Sequence, residues 1–85
     1  SPTVLLLDEP TAGVAPAVAD ELLALLRGLA AQEEVAVLMV EQNLEPALRA
    51  ADYGYCLVGG RNSTDGPASD VLGRLPEIVE SWLWA

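Results

Sequence analysis

The chain has no lysine, no histidine and no phenylalanine, and a single cysteine, Cys56. Without lysine there is no G-x-x-x-x-G-K-[ST] loop, which grips phosphates with successive backbone N–H groups and one lysine. One cysteine excludes an internal disulfide and a cysteine-rich zinc site. Cys56 lies in an apolar stretch and reads as a buried, inert thiol. Positive charge is also scarce: four arginines stand against thirteen acids, for a net charge of −9. So acidic a chain repels phosphate backbones, which excludes nucleic acid as a partner. Arg27, Arg49, Arg61 and Arg74 are scattered along the sequence, with no phosphate-binding cluster. No basic leader opens the chain, and no apolar run approaches the roughly 20 residues of a membrane span. Both absences lead to the expectation of a soluble, cytosolic chain.

Apolar residues are plentiful, at 52% of the 85 residues, and most are Ala, Leu and Val. That is globular composition. A chain this short buries only about 60–65% of its unfolded surface, so it is expected to be marginal alone. Val4–Leu7 and Val35–Val40 are continuous apolar runs, the pattern of strands covered on both faces. Between them Pro10, Gly13 and Pro16 mark a loop, and Ala17–Ala31 has helical spacing. Val18, Leu22, Leu25, Leu26 and Leu29 form one stripe expected to pack on a sheet. Pro16 suits a first helical turn, and Asp20 and Glu21 favour the positive helix start.

Asn43 is a candidate cap for a helix over Leu44–Ala51. Tyr53–Val58 reads as a third strand, Gly59 and Gly60 as a hairpin turn, and Arg61–Asp65 as a return strand of poor strand formers. Gly66 and Pro67 break the chain, Ser69 or Asp70 starts a short helix, and Pro76 opens a last one ending at Trp82, Leu83 and Trp84. Packing of that terminal helix is the expected role of the two tryptophans, and core or surface packing that of Tyr53 and Tyr55. The order is an α/β alternation with parallel pairing.

In open α/β sheets, ligands bind beyond the carboxyl ends of the strands. Asp8 and Glu9 end the first run, and Glu41, Gln42 and Asn43 end the second. Two carboxylates at a sheet rim are costly unless a cation, a water to be activated or a hydrogen-bond network uses them. Asp8 can hold Mg²⁺ directly or through water, Glu9 can orient or deprotonate an attacking water, and Gln42 can hydrogen-bond that water or a phosphate oxygen.

The string LLLDEPTAGVAP, followed by VLMVEQN and then ALRAADYGYCLVGGR, closely resembles the ATP-binding subunits of ABC transporters over essentially the whole chain. The resemblance implies a fold class: α/β, the C-terminal part of a P-loop NTPase sandwich, with parallel strands, flanking helices and the phosphate-loop strand missing. By that resemblance residues 1–85 run from the Walker B strand to the end of a nucleotide-binding domain. Asp8 then matches the Mg²⁺-coordinating aspartate and Glu9 the catalytic glutamate. Thr11, Ala12, Gly13, Val14 and Ala15 match the D-loop, which meets the opposing subunit. Gln42 stands where the family has its switch histidine, and Ala15 where it has an aspartate. TAGVAP with VEQN resembles the branched-chain amino acid (LIV-type) transport ATPases. Gln42 can donate and accept hydrogen bonds but takes no proton, so its role would be positional.

The resemblance implies ATP and Mg²⁺ as cofactors of an intact parent, with none bound by this chain alone. It also implies as partners a second ATP-binding subunit, transmembrane permease subunits and a solute-binding protein, at the inner face of the cell membrane. The LSGGQ-type signature and glutamine loop are absent, so the chain is expected to be a fragment. The missing phosphate-loop strand is expected between residues 35–40 and 53–58, leaving unpaired edges. The alternatives are a truncated, inactive product acting only as an interaction module, and an unrelated metal-dependent hydrolase built on Asp8 and Glu9.

Overall fold

The computed structural model describes residues 3–32 and 34–83, with the Trp82 side chain left aside. The elements are β1 (Thr3–Asp8), α1 (Pro16–Gln32), β2 (Val35–Val40), α2 (Leu44–Ala50), β3 (Tyr53–Val58), β4 (Arg61–Pro67), α3 (Ala68–Gly73) and α4 (Leu75–Leu83). The strands form two two-stranded sheets, β1 with β2 in parallel and β3 with β4 antiparallel. β2 and β3 are not neighbours, so the sheet is broken where the sequence led us to expect a missing strand.

The parallel pair runs in register from Thr3↔Val35 to Asp8↔Val40. Side chains alternate between faces along a strand. Leu5, Leu7, Val37 and Met39 lie on the half-buried face, and α1 packs on β2. The other face is open: Val4 is 63% exposed, Leu6 68%, Leu38 58% and Val40 60%. This corrects the expectation of strands covered on both faces. The composition is that of a sandwiched strand, but the described residues supply helices to one face only.

α1 also departs from its expected stripe. Its buried face is Ala19, Leu23 and Leu26, while Val18 and Leu25 are exposed. The helix starts at Pro16, which puts Asp20 and Glu21 beyond its first turn, where they add nothing to the helix start. Asn43 occupies the N-cap position of α2, yet its side chain makes no capping bond.

The C-terminal half has its own core of Leu48, Cys56, Ala68, Val71 and Ile78, with Val71 at 0% exposure. Cys56 is buried, and that burial pushes its thiol pKa up. The hairpin closes through Gly59 and Gly60, at φ 59° and 77°. Positive φ at both central residues is what a two-residue turn matching the strand twist requires. The return strand forms despite its composition and runs on through Gly66 and Pro67, where a break was expected. Pro67 is tolerated because β4 is an edge strand ending there. Ser63 is the extra residue of a bulge opposite Cys56 and Leu57, and its hydroxyl donates to the Cys56 carbonyl at 3.1 Å. Tyr53 and Tyr55 lie on the exposed face, their rings 5.0 Å apart. α3 begins at Ala68, before Ser69. Trp84 lies outside the described residues, so the packing expected of the two tryptophans falls outside what is described.

Candidate functional site

The parallel register brings the carboxyl ends of β1 and β2 side by side, with Asp8 opposite Val40. Asp8 is exposed and shares the open face with Val4, Leu6, Leu38 and Val40. Glu9 is half-buried and leaves the strand in the left-handed region at φ 49°. That conformation is uncommon for a residue with a side chain and costs on the order of 1–2 kcal/mol. The surroundings hold it in place: the Glu9 N–H donates to the Val40 carbonyl at 2.7 Å, and the Glu9 carbonyl accepts from the Ala12 N–H at 3.1 Å.

The loop after Glu9 is two successive turns. Pro10 follows Glu9 in the first, where its fixed φ suits the corner. In the second the Val14 N–H donates to the Thr11 carbonyl at 3.2 Å, with Gly13 at φ 75°. A side chain at Gly13 would meet no neighbour, so the backbone angle alone makes glycine the fit there. Ala12, Gly13, Val14 and Ala15 are exposed, and Thr11 is half-buried.

Thr11 is anchored across the sheet rim to Glu41. Its N–H donates to Glu41 Oε1 at 3.1 Å, and its hydroxyl donates to Glu41 Oε2 at 2.6 Å. Sequence reasoning noted Glu41 only as part of the polar end of a strand. The partner lies 30 residues away, and no periodicity links the two. Gln42, the next residue, is exposed. An open depression of about 320 Å³ is lined by Glu9, Thr11, Gly13, Glu41, Gln42 and others. The structure therefore brings Glu9 and Gln42 to one depression, while Asp8 stands on the open sheet face beside it. A larger groove of about 620 Å³ runs between α1 and α2. Two arginines line it, but Arg27 pairs with Asp52 and Arg49 with Glu45, each at 2.6 Å.

The fold recurs in a known protein. No family model matches the chain. It is similar to a solved chain, cbiO1 from Clostridium perfringens, described as part of the ABC transporter complex cbiONQ. The TM-score is 0.79 at 25% identity, over 95% of this chain and 32% of that one. By sequence and fold the chain is similar to part of the ATP-binding subunits of ABC transporters.

Particular relatives are curated transport and import ATP-binding proteins. The high-affinity branched-chain amino acid transport ATP-binding protein BraG of Pseudomonas aeruginosa is 43% identical over 82 residues, 96% of this chain and 34% of that protein. A probable branched-chain amino acid transport ATP-binding protein, LivF of Archaeoglobus fulgidus, is 39% identical over 69 residues, 81% of this chain and 29% of that protein. The thiamine import ATP-binding protein ThiQ of Photorhabdus laumondii is 39% identical over 77 residues, 89% of this chain and 33% of that protein. The chain thus spans about a third of the length of the curated relatives it matches. Among the described residues no helix is long and apolar enough to cross a membrane.

Among the described residues no group of three or more His, Cys, Asp or Glu gathers to hold a metal. Asp8 is a single exposed hard-oxygen donor. Mg²⁺ commonly binds through one or two carboxylates plus phosphates and waters, so Asp8 fits a cation that arrives with a nucleotide.

Proposed function

We propose that residues 1–85 are the Walker B to C-terminal part of the nucleotide-binding domain of an ABC importer, and that the whole subunit hydrolyses ATP to drive uptake. The observation that carries this reading is Glu9. It is held in a costly left-handed conformation at the sheet rim, in the same depression as Gln42 and next to Asp8. Backbone strain held by its surroundings marks positions where a side chain must point one way.

Each residue has a distinct part. Asp8 would hold Mg²⁺ through water. Glu9 would orient the attacking water and draw off its proton. Gln42 would hydrogen-bond the terminal phosphate or that water, fixing position without exchanging a proton. Thr11, Ala12, Gly13, Val14 and Ala15 would meet the opposing subunit. Bound Mg²⁺-ATP supplies the transferable phosphoryl group and the cation that neutralises its charge.

The relatives' names span branched-chain amino acids and thiamine. TAGVAP with VEQN, read in the sequence, favours the branched-chain amino acid class. The partners proposed are a second ATP-binding subunit, transmembrane permease subunits and a solute-binding protein, with this subunit on the cytoplasmic side.

Mg²⁺-dependent ATP turnover by the subunit containing this chain tests the reading. Glu9→Gln is expected to lower kcat by about a hundredfold or more, the scale of a lost general base. Wild-type turnover with an unchanged Glu9→Gln variant would refute it. The isolated 85-residue chain is expected to show no turnover, since it holds no lysine for a phosphate loop.

The open face of β1 and β2 favours a second reading, a truncated product acting only through association. Sizing of the isolated chain decides: concentration-dependent association supports it, and a sharp monomer with cooperative melting argues against it.

A further inference from the structure

We infer that Glu41 is a positioning residue: its carboxylate clamps Thr11 and so fixes the loop 9–15 and the direction of Glu9. The inference rests on the reading of Glu9 given above. Both Glu41 oxygens are used on one residue, Oε1 by the Thr11 N–H at 3.1 Å and Oε2 by the Thr11 hydroxyl at 2.6 Å. Bonds to an ionised acceptor are shorter and roughly twice as strong as neutral ones. A two-point grip also sets the rotation of Thr11, which one bond does not.

The clamp closes a ring of contacts around Glu9. On one side the Glu9 N–H is bound to Val40, the residue before Glu41. On the other, the turn from Glu9 to Ala12 presents Thr11 to Glu41. The left-handed Glu9 is therefore pinned from both ends, to the last residue of β2 and to the residue that follows it. Gln42 follows Glu41 directly, so one short segment of backbone sets the position of both lining groups, Gln42 by the chain and Glu9 through the clamp. Without Glu41, the half-buried Thr11 N–H loses its acceptor. Small misplacements of a catalytic group are costly: about 1 Å can mean a hundredfold in rate.

Three variants separate positioning from charge. Glu41→Ala removes the clamp. Glu41→Gln keeps both contacts, because its amide oxygen accepts from the Thr11 N–H and its NH₂ donates to the Thr11 hydroxyl. Thr11→Val keeps the N–H bond alone. In the subunit containing this chain, Glu41→Ala is expected to lower kcat for Mg²⁺-ATP about tenfold or more, with KM held within about twofold. Glu41→Gln should restore most of that loss, and Thr11→Val should fall between them. Unchanged turnover in Glu41→Ala, a change confined to KM, or equal losses in Glu41→Ala and Glu41→Gln would overturn the role.

Amide exchange at Thr11 in the nucleotide-free subunit containing this chain reads the clamp without any nucleotide. Protection lost in Glu41→Ala and kept in Glu41→Gln supports it; equal protection in all forms overturns it. If the wild-type subunit shows no turnover, the functional reading falls and the positioning role with it, while the exchange measurement still judges the clamp.

Discussion

The two halves of this small molecule divide packing from chemistry. The C-terminal half, β3 to α4 with Leu48 of α2, closes around Val71 and buries Cys56, Ala68 and Ile78. The reactive-looking groups of the rim lie outside it. The N-terminal half holds Asp8, Glu9, Glu41 and Gln42, on a sheet whose open face carries Val4, Leu6, Leu38 and Val40. The half with the core is held by burial. The half with the site buries Ala19, Leu23 and Leu26 of α1, but its rim is ordered by directed bonds: the parallel ladder, two turns and the Glu41–Thr11 pair. A polar rim needs such bonds, because buried area alone does not fix the direction of a carboxylate.

The sharpest way to break this division is to set Glu9→Gln against Val71→Ala. The first should remove turnover by the margin already given and leave the melting temperature of the subunit unmoved. The second should cost about 1.5–3 kcal/mol of stability, from lost burial plus a cavity. Leu6→Thr on the open face should shift the stability of the isolated chain by no more than about 0.5 kcal/mol, the scale of exposed substitutions. Thermal melting of the three variants is the measurement. A Leu6→Thr cost equal to that of Val71→Ala would mean the open face is covered in solution.

Next in size is Gly13→Ala in the loop. Alanine meets no neighbour there but must adopt φ 75°. The expected cost is about 1–2 kcal/mol. Local exchange should report it at the loop amides while Val71 and its neighbours stay protected.

The smallest effect belongs to the hairpin. The Tyr53 hydroxyl donates to Asp65 Oδ1 at 2.7 Å, and Asn62 Nδ2 donates to Oδ2 at 2.5 Å. The bond from Tyr53, then that from Asn62, holds the Asp65 pKa below the ordinary 3.8, and the bond to Asp65 is the main cause holding Tyr53 above 10.0. A lowered acid stabilises the fold above its unfolded pKa, and that contribution fades as pH falls through the lowered value. A raised tyrosine stabilises below 10.0, and that contribution fades as pH rises through the raised value. Tyr53→Phe should flatten the alkaline arm of a pH–stability curve and reduce the acid one, both slightly, since the groups are exposed.

Much of the architecture was legible in the sequence. Both apolar runs became strands, the helical stretch between them became α1, and the double glycine made the hairpin. Asp8, Glu9 and Gln42 could be picked out because polar groups at the ends of apolar runs stand out. What could not be read depends on partners that are distant in the chain. An apolar run shows that a strand can be covered on both faces, not that two layers are present. The buried face of α1 is not legible from spacing, because Val18 and Leu25 are as apolar as Leu23 and Leu26, and only the docked geometry chooses between them. Asn62 to Asp65 are poor strand formers, yet they pair with β3, where side-chain bonds run from Tyr53 to Asp65 and from Ser63 to the Cys56 carbonyl; context overrides propensity here. Glu41 carried no signal beyond being polar, since its partner is fixed by the turn after Glu9.

The register of β1 against β2 has one more consequence. Asp8 is the last residue of the face that starts with Val4 and Leu6. Any segment laid along that face to shelter its leucines and valines runs out at the Asp8 carboxylate. Sealing the sheet and building one wall of the site around Asp8 would then be a single structural event.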